Sequence, residues 1–156
     1  MNGSLASRLK GKRRVHVDSN VLIYFLQNNP DYVSLVRPLF ELIAEGQMVG
    51  ISSYITLLEI MVRPLREGKT ALALEYRDYL VSSRNFELFP VDRVIAQEGA
   101  DIRATLNLKP PDAIQLATAL TQRADVFLTN DIQLRRFNRV EVIVLDELLE
   151  APAQDQ

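Results

Sequence analysis

Five short runs of β-branched and aliphatic residues alternate along this chain with stretches in which apolar residues recur at helical spacing. That alternation limits the possible folds more than any other feature. The runs fall at about 14–18, 47–51, 86–90, 125–129 and 141–145, and the helical patterns at about 20–28, 32–45, 53–66, 70–83, 93–106 and 112–123. Strands separated by helices imply crossover connections, and hence a mostly parallel sheet with helices on both faces. Asp31, Ser53 and Asp92 suit N-caps, Gly46 and Gly68 suit helix stops, and Pro111 suits a first helical turn. In such sheets ligands bind beyond the carboxyl ends of the strands.

With 156 residues, 47% hydrophobic and 24% charged, the chain can bury one core and needs no second. No break in composition marks a boundary, so a single domain is expected over 14–150, followed by a short tail at 151–156. The segment 1–13 reads as a basic, flexible leader. Within the first fourteen residues stand Arg8, Lys10, Lys12, Arg13 and Arg14 and no acid, which leaves 13 basic against 20 acidic residues in the remainder. No apolar run approaches ~20 residues and no signal-peptide pattern opens the chain, so a cytoplasmic protein without a membrane partner is expected. Cysteine is absent and His16 is the only histidine. An ordinary zinc site therefore cannot be assembled from one chain, and any metal must take oxygen ligands, which favour Mg2+ or Mn2+.

Four acids occupy places where a carboxylate is costly or sharply positioned. Asp18 closes the run Arg14-Val15-His16-Val17, Glu59 lies inside an apolar helical stretch, Asp112 follows Pro110-Pro111, and Asp131 closes Val126-Phe127-Leu128-Thr129-Asn130. Taken singly, each has a plainer reading. Asp112 and Asp131 suit helix starts, Glu59 can pair with Arg63 four residues on, and Asp18-Ser19-Asn20 can be a polar turn. Taken together they fall one to each segment expected to face a common crevice. Several carboxylates around one cavity raise each other's pKa unless a cation lies between them. A divalent ion removes that conflict and can orient a phosphodiester and activate water.

The residues around these acids, Val15-His16-Val17-Asp18-Ser19-Asn20-Val21-Leu22-Ile23-Tyr24, Ile55-Thr56-Leu57-Leu58-Glu59-Ile60, Pro111-Asp112-Ala113-Ile114-Gln115-Leu116-Ala117-Thr118-Ala119-Leu120 and Phe127-Leu128-Thr129-Asn130-Asp131, resemble the four boxes of PIN-domain nucleases, above all the VapC-type toxins of toxin–antitoxin pairs. The likeness runs from about residue 14 to 150. It implies a PIN-like three-layer α/β/α sandwich whose mostly parallel central sheet has about five strands. It also implies an Mg2+- or Mn2+-dependent endoribonuclease that hydrolyses RNA with metal-activated water and leaves a 5′-phosphate and a 3′-hydroxyl. By the same analogy Asp18, Glu59 and Asp112 hold the metal, with Asp131 assisting. Ser19, Asn20, Thr129 and Asn130 fall where the family places short polar residues that orient carboxylates or meet the scissile phosphate. A cognate antitoxin and a homodimer are the partners the resemblance implies.

Two alternatives share the fold: a PIN nuclease of RNA processing or DNA repair with no antitoxin, and a non-catalytic PIN-like binding or scaffold subunit. His16, in the strand that ends at Asp18, reads as a packed structural histidine and not a ligand. Arg135, Arg136 and Arg139 form a basic cluster whose default is a solvated face and whose alternative is contact with RNA backbone. Arg63-Pro64-Leu65-Arg66-Glu67-Gly68-Lys69-Thr70 ends like a phosphate-binding loop but lacks its first glycine. Asn20 stands where an aspartate-nucleophile phosphatase needs its second acid.

Overall fold

A computed structural model describes residues 4–150. Its elements in chain order are α1 (Leu5–Arg8), β1 (Arg14–Val17), α2 (Ser19–Leu26), α3 (Val33–Ala44), β2 (Val49–Ser53), α4 (Tyr54–Arg66), α5 (Thr70–Ser82), β3 (Phe86–Phe89), α6 (Arg93–Leu106), α7 (Pro110–Thr121), β4 (Val126–Thr129), a 3-10 turn (Ile132–Arg136), β5 (Glu141–Val144) and α8 (Leu145–Glu150). All five strands are parallel, in the order β3-β2-β1-β4-β5. The α/β/α sandwich with a five-stranded parallel sheet is as expected.

Strand alternation divides the apolar residues between two cores. Val15, Val17, Val126, Leu128 and Ile143 join residues of α2 and α3 in one cluster. Phe127, Val142 and Val144 point the other way and join Ile95 and Ile102 of α6 and Leu116 of α7. His16 follows Phe127, its ring stacked on it at 4.7 Å between centroids. It is a packed ring with no hydrogen-bond partner, and burial lowers its pKa to about 3, so it is neutral.

The strand order carries the functional geography. From β1 the chain moves outward through β2 to β3, then returns to lay β4 on the other side of β1. The β1/β4 boundary is therefore the switch point, where connections leave in opposite directions and open a crevice beyond the carboxyl ends.

Local signals behave unevenly. Ser53 and Asp92 cap α4 and α6 through their side chains, Gly46 and Gly68 adopt positive φ just past α3 and α4, and Pro110-Pro111 open α7. Asp31 does not cap α3. Tyr32 holds that place without a side-chain bond, and the Asp31 N–H is taken by Asn29 in a local turn. The second strand lies two residues later than expected, because it continues into Ser52 and Ser53, both buried. Gly50 is required there by close approach: a Cβ would stand 2.5 Å from the Phe86 ring.

The described part of the basic leader is not a separate object. Ser4 caps α1, and Leu5 and Leu9 are buried in the first core, one helical turn apart. Arg8 and Lys12 both bind Glu141 at 3.1 and 2.7 Å, and the Arg13 and Arg14 backbone N–H groups donate to Asp125. The charges of Arg8 and Lys12 thus meet an acid of the domain itself. The expected tail at 151–156 lies outside the described residues, as do residues 1–3. Among the described residues no helix is long and apolar enough to cross a membrane.

Candidate active site

Asp18 sits at the switch point. Its N–H donates to the Leu128 carbonyl at 3.0 Å, extending the β1–β4 ladder by one bond, while its side chain caps α2. One carboxylate oxygen accepts the Ser19 N–H at 2.9 Å and the other the Thr129 hydroxyl at 2.7 Å. The residue is 5% exposed. Burial raises its pKa from 3.8 to about 7 against the pull of those two donors, and the charges of Glu59 and Asp112 push it the same way. Each oxygen keeps a lone pair that the two donors leave unused.

Glu59 projects from α4 and Asp112 from the first turn of α7, both partly buried. Burial raises the pKa of Glu59, Asp112 adds to the rise, and the Ser19 hydroxyl and Gln115 amide oppose it. Burial likewise raises Asp112, followed by the charge of Asp131, with Lys109 opposing. The acids are therefore electrostatically linked, Asp18 to Glu59 and Asp112, Glu59 to Asp112, and Asp112 to Asp131. Asp131 itself accepts the Gln133 N–H at 2.9 Å as the cap of the 3-10 turn. Glu59 is not paired with Arg63, which binds Glu67 instead. Among the described residues no group of three or more His, Asp or Glu side chains is placed to hold a metal ion.

The short polar residues form a frame around these acids. Thr129 donates to Asp18 and accepts from the Asp131 N–H at 3.0 Å, so one hydroxyl joins two of the four acidic positions. Asn20 reaches Thr129 at 3.4 Å and accepts the Asn130 N–H at 3.2 Å, bracing α2 against the end of β4. Asn130 turns outward to Tyr24 and Asp146. The arginine cluster is occupied elsewhere. Arg135 binds Glu147 and the Val142 carbonyl, Arg136 the Gln133 and Leu106 carbonyls, and Arg139 binds Glu98.

Three residues with no role in the sequence reading lie directly behind the acids. Ser52 donates to the Val17 carbonyl at 2.8 Å, Ser52 and Thr56 share a hydrogen bond of 2.7 Å, and Gln115 donates to Thr56 at 2.8 Å. All three are buried. Their one sequence signal is polarity beside apolar residues, with Thr56 and Gln115 one helical turn from Glu59 and Asp112. A separate cavity of about 520 Å³ opens between α6 and α7, lined by Gly99, Ala100, Arg103 and Pro110 among others. None of the four acids lines it.

Residues 15–140 match the PIN domain model. The chain belongs to the PIN-domain family. Solved structures agree in fold. A chain of VapBC from Salmonella typhimurium, crystallised bound to DNA, superposes with a TM-score of 0.69 at 21% identity over 85% of this chain and 98% of that one. One of VapBC2 from Rickettsia felis, bound to a promoter DNA fragment, gives 0.68 at 18% identity over 84% and 98%. One from a toxin–antitoxin complex of Klebsiella pneumoniae gives 0.62 at 24% identity over 84% and 97%. No match is found among curated proteins. In this PIN domain all four acids fall within the matched residues.

Proposed function

We propose that this PIN domain is a divalent-metal-dependent endoribonuclease acting as the toxin of a toxin–antitoxin pair. The observation that carries the reading is the Asp18 carboxylate, buried at the switch point and linked electrostatically to Glu59 and Asp112, with Asp131 beyond. An apolar packing role gives no reason to bury a carboxylate among like charges, whereas a cation makes the arrangement favourable. The donor set is all oxygen, which suits Mg2+ or Mn2+.

In this reading Asp18, Glu59 and Asp112 hold the ion and Asp131 assists. Asp18 is fixed by Thr129 and Ser19. Glu59, Asp112 and Asp131 are partly exposed. When bound, the ion supplies positive charge for the phosphodiester and lowers the pKa of water. Thr129 donates to the Asp18 carboxyl and fixes its orientation, and Asn20 keeps Thr129 in place.

Similarity to chains of VapBC and toxin–antitoxin complexes supports an antitoxin partner for this chain. A crevice of carboxylates suits a lysine or arginine side chain, which neutralises the site and displaces the ion. The test is expression in a bacterial host at matched protein levels. Growth arrest by wild type, absent for Asp18→Asn and relieved by a small protein encoded beside it, supports the toxin. Equal harmlessness of wild type and Asp18→Asn contradicts it.

A further inference from the structure

We infer that Ser52, Thr56 and Gln115 are positioning residues that set the spacing of the acid-bearing segments through one buried chain of hydrogen bonds. This inference rests on the metal-site reading above.

The geometry points to this role because each link of the chain ends beside an acid. Ser52 donates to the carbonyl of Val17, the residue before Asp18. Thr56 lies one turn before Glu59 on α4, and Gln115 lies one turn after Asp112 on α7. The bond from the Gln115 amide to the Thr56 hydroxyl therefore pins α4 to α7, and that from Ser52 pins β2, whose end starts α4, to the end of β1.

Donor counting fixes the direction of the chain. A hydroxyl carries one hydrogen. Ser52 spends its hydrogen on Val17, so Thr56 must donate to Ser52, and Gln115 must donate to Thr56. The Gln115 amide is thereby fixed with its nitrogen toward Thr56. Its oxygen is buried without a partner among the described residues. Small or apolar residues at 52, 56 and 115 would fill the space without such an orphan, but would lose the links between β1, β2, α4 and α7. The Gln115 amide also opposes the rise in the Glu59 pKa.

The test is Mn2+ affinity, measured by titration calorimetry without RNA on full-length wild type, Asp18→Asn, Thr56→Val, Thr56→Ser and Gln115→Met, with folding followed by circular dichroism. Thr56→Val and Gln115→Met keep side-chain size and should each weaken Mn2+ binding about 10–100-fold, as loss of outer support for metal ligands does. Thr56→Ser, which keeps the hydroxyl, should bind like wild type. The double variant Thr56→Val with Gln115→Met should be no weaker than the worse single, because either change breaks the same chain. Wild-type affinity in both folded single variants overturns the positioning role while leaving the metal site intact. Equal Mn2+ binding by wild type and Asp18→Asn overturns the metal-site reading itself, and the positioning role with it.

Discussion

Replacing Asp18 by asparagine should stabilise the metal-free protein at neutral and alkaline pH and weaken it slightly in acid. Asp18 titrates at about 7 in the folded chain, against 3.8 ordinarily. Between those values the native state keeps a proton that the unfolded chain has lost. Stability from this group is therefore complete below the ordinary pKa and is lost as pH rises through about 7. Each tenfold change in proton affinity is worth about 1.4 kcal/mol, so the total loss is about 4 kcal/mol. Asparagine does not titrate, but its amide has one acceptor oxygen where the carboxylate has two. Either the Ser19 N–H or the Thr129 hydroxyl loses its acceptor, costing about 1 kcal/mol. The net expectation is a variant about 3 kcal/mol more stable above pH 7 and about 1 kcal/mol less stable near pH 4. At this size the gain corresponds to a rise in Tm of about 6–12 °C. Urea unfolding in chelator across that range measures the crossover. A variant less stable than wild type at every pH, or a difference that does not change with pH, refutes the claim that burial strains this carboxylate.

Leu9→Ala should destabilise the protein by about 2–5 kcal/mol, because Leu9 is buried in the first core; a cost near zero in thermal unfolding would return residues 4–13 to the status of a loose leader. Gly50→Ala should cost about 1–3 kcal/mol as its Cβ is driven into the Phe86 ring, whereas Gly99→Ala, whose nearest contacts lie at 3.7–3.8 Å, should be nearly neutral, and equal denaturation midpoints for the two would contradict the packing described. Glu59→Gln should remove RNA cleavage without loss of folding; normal cutting by a folded Glu59→Gln protein would exclude this acid from the site.

Strand and helix periods made the architecture legible, since each strand buried on both faces reads as a short apolar run and each helix presents one apolar stripe. What escaped were features that depend on a distant partner. Leu5 and Leu9 form too short a pattern to signal a helix, and only packing against α3 brings α1 into the core. Ser52 and Ser53 look like a polar turn, yet Ser52 is a buried strand residue because Val17 supplies an acceptor 35 positions away. The acids themselves were visible as charges in apolar surroundings. Thr56 and Gln115 were not, because a neutral polar side chain costs little in a helix until its burial is known. The arginines at 135, 136 and 139 form a cluster in sequence, while their partners Glu147, Leu106 and Glu98 are separate in sequence and divide the cluster in space.

The most direct test of the central claim is RNA cleavage by purified protein. Single-stranded RNA labelled at its 5′ end should be cut in Mg2+ or Mn2+, yielding 5′-phosphate and 3′-hydroxyl ends. Excess chelator should stop the reaction, and a folded Asp112→Asn protein should be inactive. Undiminished cleavage in chelator, or by folded Asp112→Asn protein, would contradict the account.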